Sequence, residues 1–165
     1  MKNPGPNSPT STSDVETMRQ AIELLFFAYR DFTGEADEIL KTYGFGRAHH
    51  RVIYFVGRNP GITVNGLLAI LKITKQSLSR VLGQLIDEGF VEQMIDQNDR
   101  RRRMMWLTEK AEHLDAELTA AQSRLLSSAF ADAGDDAVNG FRTILRKIIN
   151  QEDRARMDPF FEDKA

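Results

Sequence analysis

Cysteine is absent from all 165 residues. That excludes disulfides, thiolate zinc sites, iron–sulfur clusters and cysteine nucleophiles or peroxide sensors from this chain, and it suits a reducing cytoplasm. No apolar run approaches the ~18 residues of a membrane span, so no membrane partner is expected. The glycines offer no phosphate cradle, because Gly44-Phe45-Gly46 follows no strand pattern. Ser, His and Asp side chains form no compelling constellation, and the Asp135-Asp136 pair sits where a helix start explains it. Catalysis is therefore not expected. Metal and other cofactors are not expected either. There is no His-x-x-x-His pair, and the adjacent His49 and His50 point about 100° apart on a helix, which favours packing or hydrogen-bonding roles. The first 13 residues are rich in Pro, Ser, Thr, Asn and Gly and lack an apolar core, and so are read as a flexible tail rather than a secretion signal.

What is there is ordinary in bulk. Hydrophobic residues make up 41% and charged residues 28%, as in a soluble domain with room for a dimerisation extension. A formal charge of −2 argues by itself against nucleic acid. Its distribution argues the other way. Between Arg47 and Lys110 stand 11 Lys and Arg against 6 Asp and Glu; elsewhere the counts are 11 and 18. A basic middle at +5 between acidic ends at −7 reads as a binding module on an acidic scaffold.

The punctuation of the chain gives the order of elements. Asp14 can cap a helix carrying Met18, Ile22, Leu25, Phe26 and Tyr29 at helical spacing. Gly34 is a candidate bend, with helix again from Ala36 to Tyr43. A second helix spans about Arg47 to Gly57 and stops at the Asn59-Pro60-Gly61 turn. Thr63 and Thr74 each cap a further helix, the latter running to Glu88 before Gly89. Phe90–Ile95 and Arg102–Leu107 read as a hairpin around a turn at Asp96-Gln97-Asn98-Asp99. Thr108 caps a long helix to about Ala131, and a last helix spans about Asp136 to Asn150. The segment from Gln151, with Met157, Phe160 and Phe161, reads as a charged tail that could hook across a partner or remain disordered.

Two short helices separated by a few residues and followed by a hairpin make a winged helix-turn-helix. The expected fold is mainly α with a small β-hairpin wing. Its parts are a tail (1–13), N-terminal dimerisation helices (14–45), the winged lobe (46–108), and C-terminal dimerisation helices with a tail (109–165).

In the helix after Thr74, Leu78, Val81, Leu82, Leu85 and Ile86 form one apolar stripe. Gln76, Arg80, Gly83 and Asp87 fall opposite, with Lys75, Ser77, Ser79 and Gln84 at the margins or in the first turn. Such donors and acceptors suit base edges and phosphates in a major groove, and a helix N-terminus itself attracts phosphate. The bland alternative is a solvated helix face. At the hairpin tip, Asp99-Arg100-Arg101-Arg102-Arg103 places four cations side by side. A solvated charge run is the bland reading of these four alone. Following a recognition-type helix, they fit a minor groove better, with Asp99 aiming one guanidinium.

The stretch from Gly44 to Thr108 resembles the MarR family of winged helix-turn-helix regulators. The likeness is carried by Asn59-Pro60-Gly61-Ile62-Thr63, Ile73 to Leu82, Leu85, Gly89-Phe90-Val91-Glu92, Asp99-Arg100-Arg101 and Leu107-Thr108. Phe26–Phe32 and Gly44–Arg51 resemble the PetP-like branch of that family. The resemblance implies a homodimer whose first and last helices intertwine. It further implies groove and backbone contacts by Lys75, Gln76, Ser77, Ser79, Arg80 and Gln84, and wing contacts by Asp99, Arg100 and Arg101. Three positions depart from the family pattern: Gln93 for an arginine, Gln97 for a proline, and Leu67-Leu68 for Leu-Ala.

The terminal helices carry more apolar surface than a small lobe can cover. Ile22, Phe26, Tyr29, Phe141, Ile144, Leu145 and Ile148 therefore define an expected dimer interface. A small-molecule effector, of unspecified identity, is expected from the resemblance, with Phe26, Tyr43, His49, His50 and Arg51 as a possible pocket; an ordinary core cluster is the competing reading. The expected partners are thus double-stranded DNA, a second copy of the chain and an effector. The alternative is a winged-helix module that binds protein without DNA.

Overall fold

A computed structural model describes residues 12–96, 99 and 102–157. Most of the stretch read as an N-terminal tail lies outside them, as do Gln97, Asn98, Arg100, Arg101, Phe160 and Phe161.

Helix α1 (Thr12–Thr42) is a single rod of 31 residues, about 46 Å long at ~1.5 Å per residue. The helix runs through Gly34 without interruption. Beyond that glycine Ala36 and Leu40 are buried, and the Glu35 carboxylate pairs with Arg124, so docking supports the helix past its weakest residue. Gly44 turns the chain with a positive φ. Helix α2 (Arg47–Arg58) then begins at Gly46, whose N–H donates to Nδ1 of His49 at 3.1 Å. It ends at Asn59, whose side-chain amide donates to the Phe55 carbonyl at 2.8 Å, and Pro60 prevents continuation.

Gly61 (φ +82) sends the chain into a two-residue strand, β1 (Ile62–Thr63), that sequence pattern did not reveal. Helices α3 (Val64–Leu71) and α4 (Lys75–Asp87) follow, each opened by a threonine hydroxyl. Thr63 accepts from Gly66 N–H at 3.2 Å, and Thr74 from Ser77 N–H at 3.1 Å. Strands β2 (Val91–Ile95) and β3 (Arg103–Leu107) pair antiparallel from Val91↔Leu107 to Ile95↔Arg103. Strand β1 adds to the far side of β3 with Ile62 opposite Met105, so the expected hairpin is the larger part of a three-stranded sheet ordered β1-β3-β2. Helix α5 (Glu109–Ala133) is capped by Thr108 and ends at Gly134. Helix α6 (Asp135–Ile148) is followed by a short helix α7 (Gln151–Met157) where a tail was expected.

The core lies where α2, α4, β3 and the first half of α5 converge on Ile53, Leu78, Leu85, Phe90, Met105 and Leu114, each fully buried. It holds the exposed face of α4 in a fixed orientation. Leu85→Ala empties part of this core and is expected to cost about 2–5 kcal/mol. Urea unfolding at fixed protein concentration should show a lowered midpoint with an unchanged m value.

Candidate nucleic-acid interface

Helix α4 is amphipathic by construction. Leu78, Val81, Leu82 and Leu85 face the core, leaving Lys75, Gln76, Ser77, Ser79 and Arg80 exposed on the other side. The Thr74 cap leaves the positive end of the helix dipole open beside Lys75, and the Thr74 and Ser77 hydroxyls bond each other at 2.9 Å. One cation, four neutral hydrogen-bonding residues including the cap, and a guanidinium one turn further along thus share a convex rod of groove-filling width. Gly83 has no atom within 4 Å of the place a Cβ would occupy, so no intramolecular contact requires a glycine there.

Gln84 lies differently. His49 Nδ1 accepts from the Gly46 N–H, so its Nε2 carries the proton and donates to the Gln84 side-chain oxygen at 2.9 Å. The Gln84 amide in turn donates to Glu88 at 2.8 Å. Gln84 therefore braces α4 against α2, a role invisible to helical spacing because its partner is 35 residues away.

Strands β2 and β3 carry the wing. At its base Asp96 N–H donates to the Arg102 carbonyl at 3.0 Å, and the two side chains form an ion pair at 3.7 Å. Arg102 N–H donates to the exposed Asp99 carbonyl at 2.8 Å. The wing-tip contacts expected of Arg100 and Arg101 lie outside the described residues. Arg102 and Arg103 are exposed beside them.

The residues considered for an effector pocket are spread over the α1–α2 junction. His49 stacks on Phe45 at 4.8 Å, and Tyr43 stacks on Phe45 and meets Phe90 edge-on. His50 is half-buried, and that burial holds its imidazole below the usual range, with Asp37 opposing and Arg51 adding to the shift. Arg51 donates to the Tyr29 hydroxyl at 3.1 Å. Phe26 meets Phe27 edge-to-face on the open part of α1. A cleft at this junction is lined instead by Arg30, Gly34, Asp37, Phe45, Gly46 and Arg47 among others. Among the described residues no group of three or more His, Cys, Asp or Glu is placed to hold a metal ion, and no helix is long and apolar enough to cross a membrane.

The residues anticipated at a dimer interface form an open apolar surface. On α1, Val15, Met18, Ile22, Leu25 and Tyr29 repeat at alternating steps of three and four, all exposed, with Phe26 alongside. On α6, Phe141, Ile144 and Ile148 are exposed and Leu145 is half-buried.

A capped recognition-type helix, a second helix set before it and a three-stranded wing define a winged helix-turn-helix DNA-binding protein, here mounted between long terminal helices. The MarR family model matches residues 43–102. The chain is 47% identical over 135 residues to the HTH-type transcriptional regulator PetP of Rhodobacter capsulatus, covering 82% of this chain and 81% of that one. Among solved structures, it is similar to a MarR family transcription regulator with a TM-score of 0.71 at 18% identity, covering 93% of this chain and 98% of the other. A MarR transcriptional regulator from Methanosarcina mazei Go1 matches with a TM-score of 0.60 at 26% identity, covering 81% and 99%. The chain belongs to the MarR family of transcriptional regulators.

Proposed function

We propose that two copies of the chain join through α1 and α6 and together bind a pseudo-palindromic DNA operator in the cytoplasm. Half-sites would lie about one helical turn (~10 base pairs) apart. In each copy Lys75, Gln76, Ser77, Ser79 and Arg80 enter a major groove, and the wing, with Asp99, Arg100 and Arg101, meets the neighbouring minor groove. The observation that carries this reading is the pairing of two open surfaces in one chain. One is the cationic, donor-rich face of a capped helix; the other is the apolar seam along α1 and α6, which has no cover among the described residues. A seam of alternating three- and four-residue steps is what a second helix packs against.

A small-molecule effector that changes the angle between the two lobes completes the reading. Phe26, Tyr43, His49, His50 and Arg51 are its candidate contacts, because they straddle the junction of the seam with the lobe.

The test is a gel shift with operator fragments selected from genomic DNA, run at several salt concentrations. Phosphate neutralisation predicts a straight fall of log affinity with log salt, on the order of 10³-fold or more between ~50 and ~200 mM. Affinity that ignores salt, or no retention of any fragment at low ionic strength, overturns the reading.

A further inference from the structure

A second cleft, of about 510 Å³, opens on the other side of α2, between its C-terminal end, strand β3 and the start of α5. That size suits a small organic ligand. Its walls are mostly apolar: Val56, Pro60, Trp106 and Leu107, with Ala116 and Ala120 on the α5 side. Its charged groups are two carboxylates three residues apart on α5, Glu112 and Asp115. Opposing Asp115 electrostatically is Arg58 at the end of α2. Asp115 is the unusual member. Its Oδ1 is shut off from solvent and has no hydrogen-bond partner among the described residues. A buried carboxylate oxygen without a protein donor is costly, and it calls for a proton, a water or a cation beside it.

Helix α2 passes close to this carboxylate at Gly57. A Cβ on Gly57 would stand 3.0 Å from Leu107 Cδ1, a close approach that presses on Leu107, and 3.4 Å from Asp115 Oδ2, an ordinary contact. Trp106, held against Gly61 on one edge, supplies an aromatic wall of the kind that attracts organic cations. An anionic ligand would meet two carboxylates here; a neutral one would leave Asp115 with Arg58 alone to offset its charge.

We propose that this cleft binds a small organic monocation, a protonated amine on an apolar or aromatic body, with its ammonium group set against Asp115 and its body between Trp106 and α5. The site is separate from the α1–α2 contacts suggested above. Only its consequence for DNA rests on the reading of the chain as an effector-controlled regulator. Burial pushes the Asp115 carboxyl above the usual carboxylate range, and Arg58 pulls it partly back. A proton therefore competes with the amine, and affinity falls as the pH drops through that raised value, because protonation removes the anchor.

Trp106 is the chain's single tryptophan, so its emission reports the cleft directly. The full-length protein is titrated with three probes of one shape: phenethylammonium, 2-phenylethanol and phenylacetate. A saturable change with phenethylammonium, at least ~10-fold tighter than with the alcohol and absent with phenylacetate, is expected. Asp115→Asn should bring the amine down to the level of the alcohol and abolish the pH dependence. Ala116→Leu, at an exposed helix position, should block the cleft with the carboxylate intact. Equal binding of the three probes, no response to the amine, or undiminished amine binding by either variant overturns the site. Operator affinity measured with and without phenethylammonium separately tests the control of DNA by this ligand; a flat response there defeats that link and leaves the site standing.

Discussion

Replacing Ile22 and Phe26 together with glutamate is expected to leave a folded monomer that has lost operator binding. Both side chains are largely exposed within the chain, at 66% and 65%, on a helix whose buried residues begin only at Thr33. Nothing in the lobe's own core depends on them, so circular dichroism should report unchanged helix. Across a dimer seam the two glutamates would each face a second apolar helix, and burying an unpaired carboxylate there costs far more than the seam returns. Once the copies separate, each half-site must be held alone. Losing the linkage between two reading heads removes a factor of about 10²–10⁴ in apparent affinity. Light scattering coupled to gel filtration gives the mass, and a gel shift gives the affinity. A double variant that stays dimeric and keeps its operator affinity would place the interface elsewhere.

Arg80→Ala should weaken operator binding by about 1–3 kcal/mol, roughly 5- to 150-fold, and relax base preference at one position in each half-site. Arg80 is exposed between the buried Leu78 and Val81, and truncating it takes nothing from the core. The dimer and its melting temperature should therefore be preserved. Competition by a panel of operators mutated one base pair at a time reads the change. A uniform loss across the panel would make Arg80 a phosphate contact; no loss would remove it from the interface.

The parts of the fold that could be read from the sequence are those fixed by neighbours in the chain. Thr63, Thr74 and Thr108 announce helix starts because an N-cap acts on a donor only three residues ahead, and each does so in the structure. The same local signal was present at Asn150, whose side chain accepts from Asp153 N–H at 2.9 Å and opens α7; its charged sequence disguised a helix as a tail. Strand β1 is two residues long and shows no period, and its partner Met105 lies far along the chain. That one helix continues through Gly34 is equally non-local, because its far half docks against α5. At the candidate interface, helical spacing correctly divides the buried from the exposed face of α4. It could not foresee that His49 would claim Gln84, nor that Asp115 would be left beside Trp106, since both depend on which elements meet.

Thr108 has a consequence beyond its cap. Its hydroxyl donates to the Gly89 carbonyl at 2.8 Å while accepting from Ala111 N–H at 3.3 Å. One turn into α5, Lys110 reaches the Glu88 carbonyl at 3.1 Å and lies 4.0 Å from the centre of the Phe90 ring. The last carbonyls after α4 are thus gripped by the first turn of α5, and the two helices share a joint with no slack. In the proposed dimer a rotation of α5 would be passed to the reading helix through this joint, as to the arm of a caliper, and the gap between the twin arms would follow it.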